Sequence, residues 1–559
     1  MEAAQEEIKE KKLESLQSVY TIESHDELVT FLMEILAIKD NVDSEEELQE
    51  KNSYRILYYL LEKIQVFTVV VEDKYVERVY RDSYYMYFSS KHAQYDRFCK
   101  RLFLFQGNIL EGIALGGYAF PDMNTELLQE RFIGTVVIRP LQEGKIGRSL
   151  INPYFITDTE NTYLRYAEYS ASIFGKQLRI NAFPYSMQDG ETTTCAEITI
   201  LNLLDYYSQK YSEYKYILPS EITDIVVKNG YERTLPSKGL GYAVITKVFS
   251  EAGFYPRLYG NDMFQEMSKF KRIMHYYIES GIPVALGVKN VINYTAHSIV
   301  AIGHGKIRKD IIGQKKHAVY DDEFKEHIWV IDSADLCEEY IIMDDGQIPY
   351  SKYQWKSQVQ EGLSSFKYTL GNYEPVTLMV PLYKRMFLEA EDAYDICTTV
   401  LCSKIIGIRR FCPELGSKDN PAIIRLFMAS SRNFKHKRIS GFRKTNEEVR
   451  AHYIETLFPR FVWVCEIYSK ESYCEEKVIG EIVVDATASP YDNDKILIAH
   501  YPYYIMACKT ESVDMKREDF KEMTQEEMDI DNLFDKVHSW EPFDGYAHNL
   551  FKPQKWNNE

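Results

Sequence analysis

The sequence predicts an α+β protein in three parts, and three kinds of stretch carry that prediction. Apolar residues at helical spacing fill the first 64 positions and give way to strand-like runs up to about residue 150. One strongly apolar helix, from 195 to about 211, is followed by apolar strands at 283–288, 297–302 and 327–331. Further strand patterns then appear at 423–429, 461–468 and 478–486. The expected domains are 1–150, an α+β region helical to 64 and strand-rich after it, then 151–380 and 381–559.

In the first region Leu28, Phe31, Leu32, Ile35 and Leu36 recur at helical spacing, as do Ile56, Leu57, Leu60 and Leu61. Met1 to Leu13 are charged and helical in character. Runs at 66–71, 102–105 and 132–138 read as strands, punctuated by Gly107, Gly116-Gly117 and Pro121. In the second region a strand at 177–183 ends at Pro184, and a polar loop, 186–194, opens the apolar helix. Helices at 220–228 and 241–252 follow. The three strands after them are so continuously apolar that both faces are expected to be buried. In the third region 512–535 is rich in charge, and the aromatic tail beyond it matches no pattern. No internal repeat and no long low-complexity linker divides the regions.

Composition narrows the function. At 45% hydrophobic and 14% aromatic the chain can bury several cores, and its 44 tyrosines suit amphipathic packing and interfaces. The net charge is −18, and the longest basic cluster, Lys435-His436-Lys437-Arg438, is offset by Glu447 and Glu448. The electrostatic footprint of nucleic-acid binding is therefore missing. The nine cysteines are odd in number and irregularly spaced, with no CxxC pair, which argues against both a disulfide framework and a structural zinc site. Reduced thiols point to a reducing compartment. With no apolar signal segment at the start and no run long enough to span a bilayer, the expectation is a cytoplasmic protein without membrane contact.

Chemistry concentrates around Cys195. Thr194 and Glu197 form Thr-x-x-Glu, a capping-box pattern that makes Thr194 the N-cap and puts Cys195 at the first helical position. Free backbone N–H groups and the positive end of the helix dipole then favour the thiolate, the nucleophilic form. Taken alone, a cysteine there is more often a small buried hydrophobe. His297 opens a buried strand after Asn293-Tyr-Thr-Ala296 and can act as base for the thiol. Asp332, at the end of Ile328–Ile331, can orient that histidine, although an aspartate at a strand end is commonly a turn former. Gln188, seven residues before Cys195, can donate its amide to a developing oxyanion beside the Cys195 N–H. His304 sits too far along its strand to reach the same sulfur. Asp335 is a second candidate orienter, and Asp189 and Glu191 read as solvated loop acids. Gly239-Leu-Gly241 lacks the third glycine of a dinucleotide loop, and no HExxH, P-loop or kinase motif is present.

The order Gln, Cys, His, Asp, with cysteine on a helix and histidine and aspartate on strands, resembles the papain-like fold, and more narrowly its C39-like peptidase branch. The resemblance covers about 175 to 340. It rests on Ile180-Asn-Ala-Phe-Pro-Tyr-Ser-Met-Gln188, Thr194-Cys-Ala-Glu197, Gly281-Ile-Pro-Val-Ala-Leu286, His297-Ser-Ile-Val-Ala-Ile-Gly-His304 and Trp329-Val-Ile-Asp-Ser333. The chain departs from the family in having Ala196 where glycine usually follows the cysteine, and seven rather than about six residues between glutamine and cysteine. The resemblance implies Cys195 as nucleophile, His297 as base, Asp332 as orienter and Gln188 as oxyanion donor, in a cysteine peptidase domain flanked by N- and C-terminal α+β domains. It implies no metal or organic cofactor, and a peptide or protein substrate cleaved at a peptide or isopeptide bond. The long flanking regions suggest a regulatory protein partner, and the oligomeric state is not readable. Other acyl transfer on the same fold (transglutamination, deamidation, acetyltransfer) and a non-catalytic binding scaffold are the competing readings.

Overall fold

The computed structural model describes residues 17–38, 45–109, 124–173, 175–321, 326–355, 370–442, 446–489, 491–492, 495–507 and 533–555. Met1–Leu13, Gly116-Gly117, Pro121 and most of the charged segment 512–535 lie outside these residues.

The chain is mixed helix and sheet, as the α+β expectation has it, and three sheets organise it. The first contains β1 (Gln17–Thr21), β2 (Thr68–Tyr75), β3 (Cys99–Phe105), β4 (Phe132–Arg139), β5 (Lys145–Ile146) and β6 (Leu150–Ile151), in the order β1-β2-β3-β4-β5 with β6 also on β4. Helices His25–Ile35 and Asn52–Ile64 bury their apolar stripes beneath it.

The second sheet carries the central region. Its strands are β7 (Tyr163–Leu164), β10 (Arg257–Gly260), β11 (Val284–Asn290), β12 (Ala296–His304), β15 (Glu339–Met343), β16 (Ser351–Gln354) and β17 (Tyr373–Val380), and a hairpin of β8 (Ala167–Ile173) and β9 (Lys176–Ala182) stands beside it. The order is β10-β17-β11-β12-β15-β16. Period-2 alternation sends successive side chains into different cores. Ala285, Val300, Ile341 and Met379 join the core shared with the first sheet and with helix Cys195–Lys210. Val284, Leu286, Ile299, Ile342 and Leu378 join a second core with helices Met267–Glu279 and Ala390–Cys402. A sheet wetted on neither face needs apolar residues at every position, which is why 283–288 and 297–302 read as continuous runs.

The third sheet differs from the sequence assignment in one respect. It runs β13 (Lys316–Asp321), β14 (Glu326–Asp332), β18 (Ala422–Ser430), β19 (Phe461–Tyr468), β21 (Gly480–Asp485), β22 (Ile496–Tyr501), β23 (Tyr504–Ala507), β24 (Asp535–Lys536), with a small ladder of β20 (Lys477–Val478) and β25 (Phe543–Asp544) beside it. The β13–β14 hairpin, which falls inside the expected 151–380 domain, thus leaves the central sheet. β14 pairs in parallel with β18 through Val330↔Ala422, Ile331↔Ile423 and Asp332↔Ile424. The 327–331 strand exists as expected, in the neighbouring sheet. The C-terminal tail also crosses regions: Leu164 bridges Phe551, and Arg165 donates to the Asn549 carbonyl at 2.6 Å.

Candidate active site

Helix Cys195–Lys210 starts at Cys195 because the turn before it is tied down on every side. Asp189 Oδ1 accepts backbone N–H groups from Glu191, Thr192 and Thr193 at 2.8, 2.6 and 2.9 Å, folding 189–193 into a tight loop. At the N-cap the Thr194 N–H donates to Glu197 Oε2 at 3.0 Å, and the Thr194 hydroxyl donates to the same oxygen. This is the Glu197 arm of the expected capping box. Glu197 is buried and compensated, with Arg233 Nη1 at 2.6 Å and Ser237 Oγ donating at 2.8 Å. Asp189 and Glu191 are therefore not the solvated acids expected: Asp189 builds the loop, and Glu191 accepts from Tyr87 Oη at 2.9 Å and pairs with Lys91.

Cys195 is half-buried at the first turn of this helix. Thr199, one turn on, meets Ser298 Oγ at 2.9 Å, and Tyr242 Oη meets the same oxygen at 3.0 Å. These contacts seat the helix on β12 one residue past His297. The room for Tyr242 comes from Gly287, which pairs with Ser298 across β11–β12. A Cβ on Gly287 would lie 2.8 Å from Tyr242 Cε2 and 3.2 Å from Thr377 Cβ.

His297 opens β12, and its ring is 9% exposed. It shares a side-chain hydrogen bond with Cys195. Its Nε2 donates to Asp344 Oδ1 at 2.9 Å, with Asp345 Oδ1 3.4 Å away. Nε2 being committed to Asp344, Nδ1 is the nitrogen left for the sulfur. Burial pushes the imidazole towards its neutral form, but the Asp344 hydrogen bond, the Cys195 hydrogen bond and the two carboxylate charges outweigh it. The net effect raises the ring well above its ordinary range.

The aspartate on His297 is thus Asp344, not Asp332. Asp332 closes β14 in the third sheet, where its carboxyl accepts from Tyr276 Oη and, at 2.9 Å, from the Ala334 N–H. Burial pushes it up to about 6. Asp335, the second candidate, pairs with Arg272 at 2.6 Å. Asp344 reaches the histidine through register: β15 runs antiparallel to β12 with Met343 opposite Val300, so the chain leaving β15 passes His297. Its Oδ1 also accepts the Gly346 N–H at 2.9 Å, which fixes the carboxylate. The signal available in sequence is Tyr340-Ile-Ile-Met-Asp-Asp-Gly346, an apolar run ending in acids, the same signature that singles out Trp329–Asp332.

Gln188 is brought to this cluster by its main chain. Its backbone N–H leans towards the Asp345 carboxylate without closing a hydrogen bond, and the loop from there leads directly into Cys195. Asp345 is buried, and burial first, then the neighbouring Asp344, pushes its carboxyl up to about 7. His297, Asp344 and Asp345 place one ligand-type atom each within 4.8 Å of the others, the one such group of three among the described residues.

His304 lies at the other end of β12, as expected, and serves packing between sheets. Its Nε2 meets Glu279 Oε1 at 2.9 Å, and Glu279 Oε2 takes Arg425 at 2.6 Å. Arg425 and Arg438 share Glu466 at 2.9 and 2.7 Å, and Arg438 continues to Glu481 at 2.6 Å. This buried ionic chain joins the central sheet to the third. No helix among the described residues is long and apolar enough to cross a membrane.

No family model matches the chain, and no curated protein or solved structure matches it significantly. The functional reading therefore rests on the residues themselves.

Proposed function

We propose that this protein is a papain-like cysteine hydrolase that cleaves peptide or isopeptide bonds through Cys195, His297 and Asp344. The observation that carries the reading is one relay: a half-buried thiol at a helix N-terminus, hydrogen-bonded to an imidazole whose far nitrogen is fixed by an aspartate at 2.9 Å. The order of nucleophile, base and orienter along the chain is the one the papain-like resemblance implies, with Asp344 in the role assigned to Asp332.

In this reading His297 takes the Cys195 thiol proton on Nδ1 as sulfur attacks the acyl carbon. The carbonyl electron pair moves to oxygen, where the Cys195 N–H, free of an intrahelical partner, stabilises it. The Gln188 amide is the proposed second donor. Collapse breaks the C–N bond, and His297 hands its proton to the leaving amine. Water then attacks the thioester, giving its proton to His297, and release of the acid returns the thiol. Asp344 stabilises the imidazolium through both halves of the cycle.

Substrate is a protein or peptide, and the flanking sheets are the natural place for a regulatory partner to act. The test is incubation of a peptide library with the protein in H₂¹⁸O, with mass spectrometry of the products. The reading expects new carboxyl ends carrying ¹⁸O, absent with Cys195→Ala. Amide or amine-transfer products without ¹⁸O-labelled cleavage ends would replace hydrolysis by acyl transfer. No Cys195-dependent product of either kind would leave the scaffold reading.

A further inference from the structure

The carboxylate beside the triad has no role in acyl transfer, and its surroundings ask for a positive charge. Asp345 is 6% exposed, and neither of its oxygens accepts a hydrogen bond. A buried carboxylate without donors is costly, and proteins retain such groups where a cation or a proton neutralises them. One carboxylate oxygen of Asp345 lies 3.4 Å from His297 Nε2, which is itself 2.9 Å from Asp344 Oδ1. Edges of this size suit a small ion: metal–ligand distances of about 2.0–2.1 Å in a tetrahedral site put neighbouring ligand atoms roughly 3.3 Å apart. One imidazole with two carboxylates is a donor set for a borderline divalent ion such as Zn²⁺ rather than for Mg²⁺ or Ca²⁺, which prefer all-oxygen shells.

We propose that His297, Asp344 and Asp345 form a site for a divalent ion of the zinc class, and that its occupancy silences Cys195. The ion site follows from geometry; its effect on Cys195 rests on the reading of Cys195 and His297 as the reacting pair. Binding at Nε2 displaces the proton held there, and the neutral metal-bound ring carries that one proton on Nδ1 instead. A ring so loaded cannot accept the thiol proton, and the Asp344 carboxylate that supported the imidazolium is taken up by the ion. A free aqueous ion would thus hold the enzyme off until a chelating partner or a fall in zinc removed it, and no bond to the sulfur is needed.

The experiment uses the full chain, stripped with a chelator and titrated with ZnCl₂ in equilibrium dialysis, with Co²⁺ absorption as a second readout. The proposal expects one equivalent bound, a Co²⁺ visible spectrum of nitrogen and oxygen ligation, and at least tenfold weaker binding by Asp345→Asn. The rate of Cys195 alkylation by an electrophilic probe is followed in parallel. It should fall at least tenfold with Zn²⁺ in wild type, and the fall should disappear in Asp345→Asn, which separates this site from direct capture of the thiolate. Binding indifferent to Asp345→Asn, a sulfur-to-cobalt charge-transfer band, or alkylation unaffected by the bound ion would overturn the proposal. Slow alkylation of Cys195 in chelator alone would count instead against the Cys195–His297 pair, and the dialysis would still decide the ion site.

Discussion

Replacing Asp344 with Asn tests the assignment of the proposed triad's third member at a single atom. Asparagine keeps an oxygen for the Gly346 N–H and for His297 Nε2 but removes the charge, so the geometry at 2.9 Å is preserved while the imidazolium loses its partner. A hydrogen bond to a charged group contributes about 1.5–3 kcal/mol and its neutral counterpart about 0.5–1.5 kcal/mol, a difference of about 1–1.5 kcal/mol. At about 1.4 kcal/mol per decade, alkylation of Cys195 should slow about five- to tenfold. The assay is the pseudo-first-order rate of modification by a thiol electrophile, read by peptide mass spectrometry, with circular dichroism to show the variant is folded. Asp332→Asn is the matched control, because Asp332 binds Tyr276 and Ala334 in another sheet and should leave the rate within about twofold. An unchanged rate in Asp344→Asn together with a large loss in Asp332→Asn would refute the structural assignment and restore the sequence-based one.

Other consequences concern pH and packing. The Asp332 carboxyl is raised to about 6 in the fold, so between about pH 4 and 6 the native state binds more protons than the unfolded one, and stability falls as pH rises. In Asp332→Asn that fall should be missing, so the Tm difference between variant and wild type should shift in the variant's favour from pH 4 to pH 7; parallel curves would contradict it. Glu466→Ala removes the carboxylate shared by Arg425 and Arg438, which keep Glu279 and Glu481, and should cost about 1–3 kcal/mol in urea unfolding. Gly287→Ala puts a Cβ against the Tyr242 ring and should cost about 1–3 kcal/mol. It should also slow Cys195 alkylation by disturbing the Tyr242–Ser298 contact, and a destabilised but normally reactive variant would show that the contact does not position the helix.

Much of the local structure is legible in the sequence because its causes are local. The apolar texture of 461–468 and the cap at Thr194 place β19 and helix Cys195–Lys210 at the expected residues. The buried strands 283–288 and 297–302 declare themselves because two cores claim their alternate side chains. What the sequence conceals is pairing. Trp329-Val-Ile-Asp332 and Ile341-Ile-Met-Asp344 are equivalent as strings, each an apolar strand closed by an acid. Only the antiparallel register of β15 on β12 brings Asp344 to His297, while β14 pairs with β18. The same long-range pairing moves the 316–332 hairpin out of the central sheet, so a boundary drawn along the chain at 380 cannot separate the second sheet from the third. Asp345 is hidden for a further reason: its burial beside Asp344 and the Gln188 main chain exists only in the folded chain.

The account's central claim is that Cys195 is an activated nucleophile driven by His297. Limited labelling with an electrophilic thiol probe in the presence of chelator, followed by mass spectrometry of all nine cysteines, tests it most directly. Cys474 is exposed and carries none of the triad machinery, so it sets the rate of an ordinary accessible thiol within the same molecule. The account predicts that Cys195 reacts at least tenfold faster than Cys474 although it is less exposed, and that His297→Ala abolishes this advantage while Cys474 is unaffected. Cys195 reacting no faster than Cys474, or keeping its rate in His297→Ala, would contradict it.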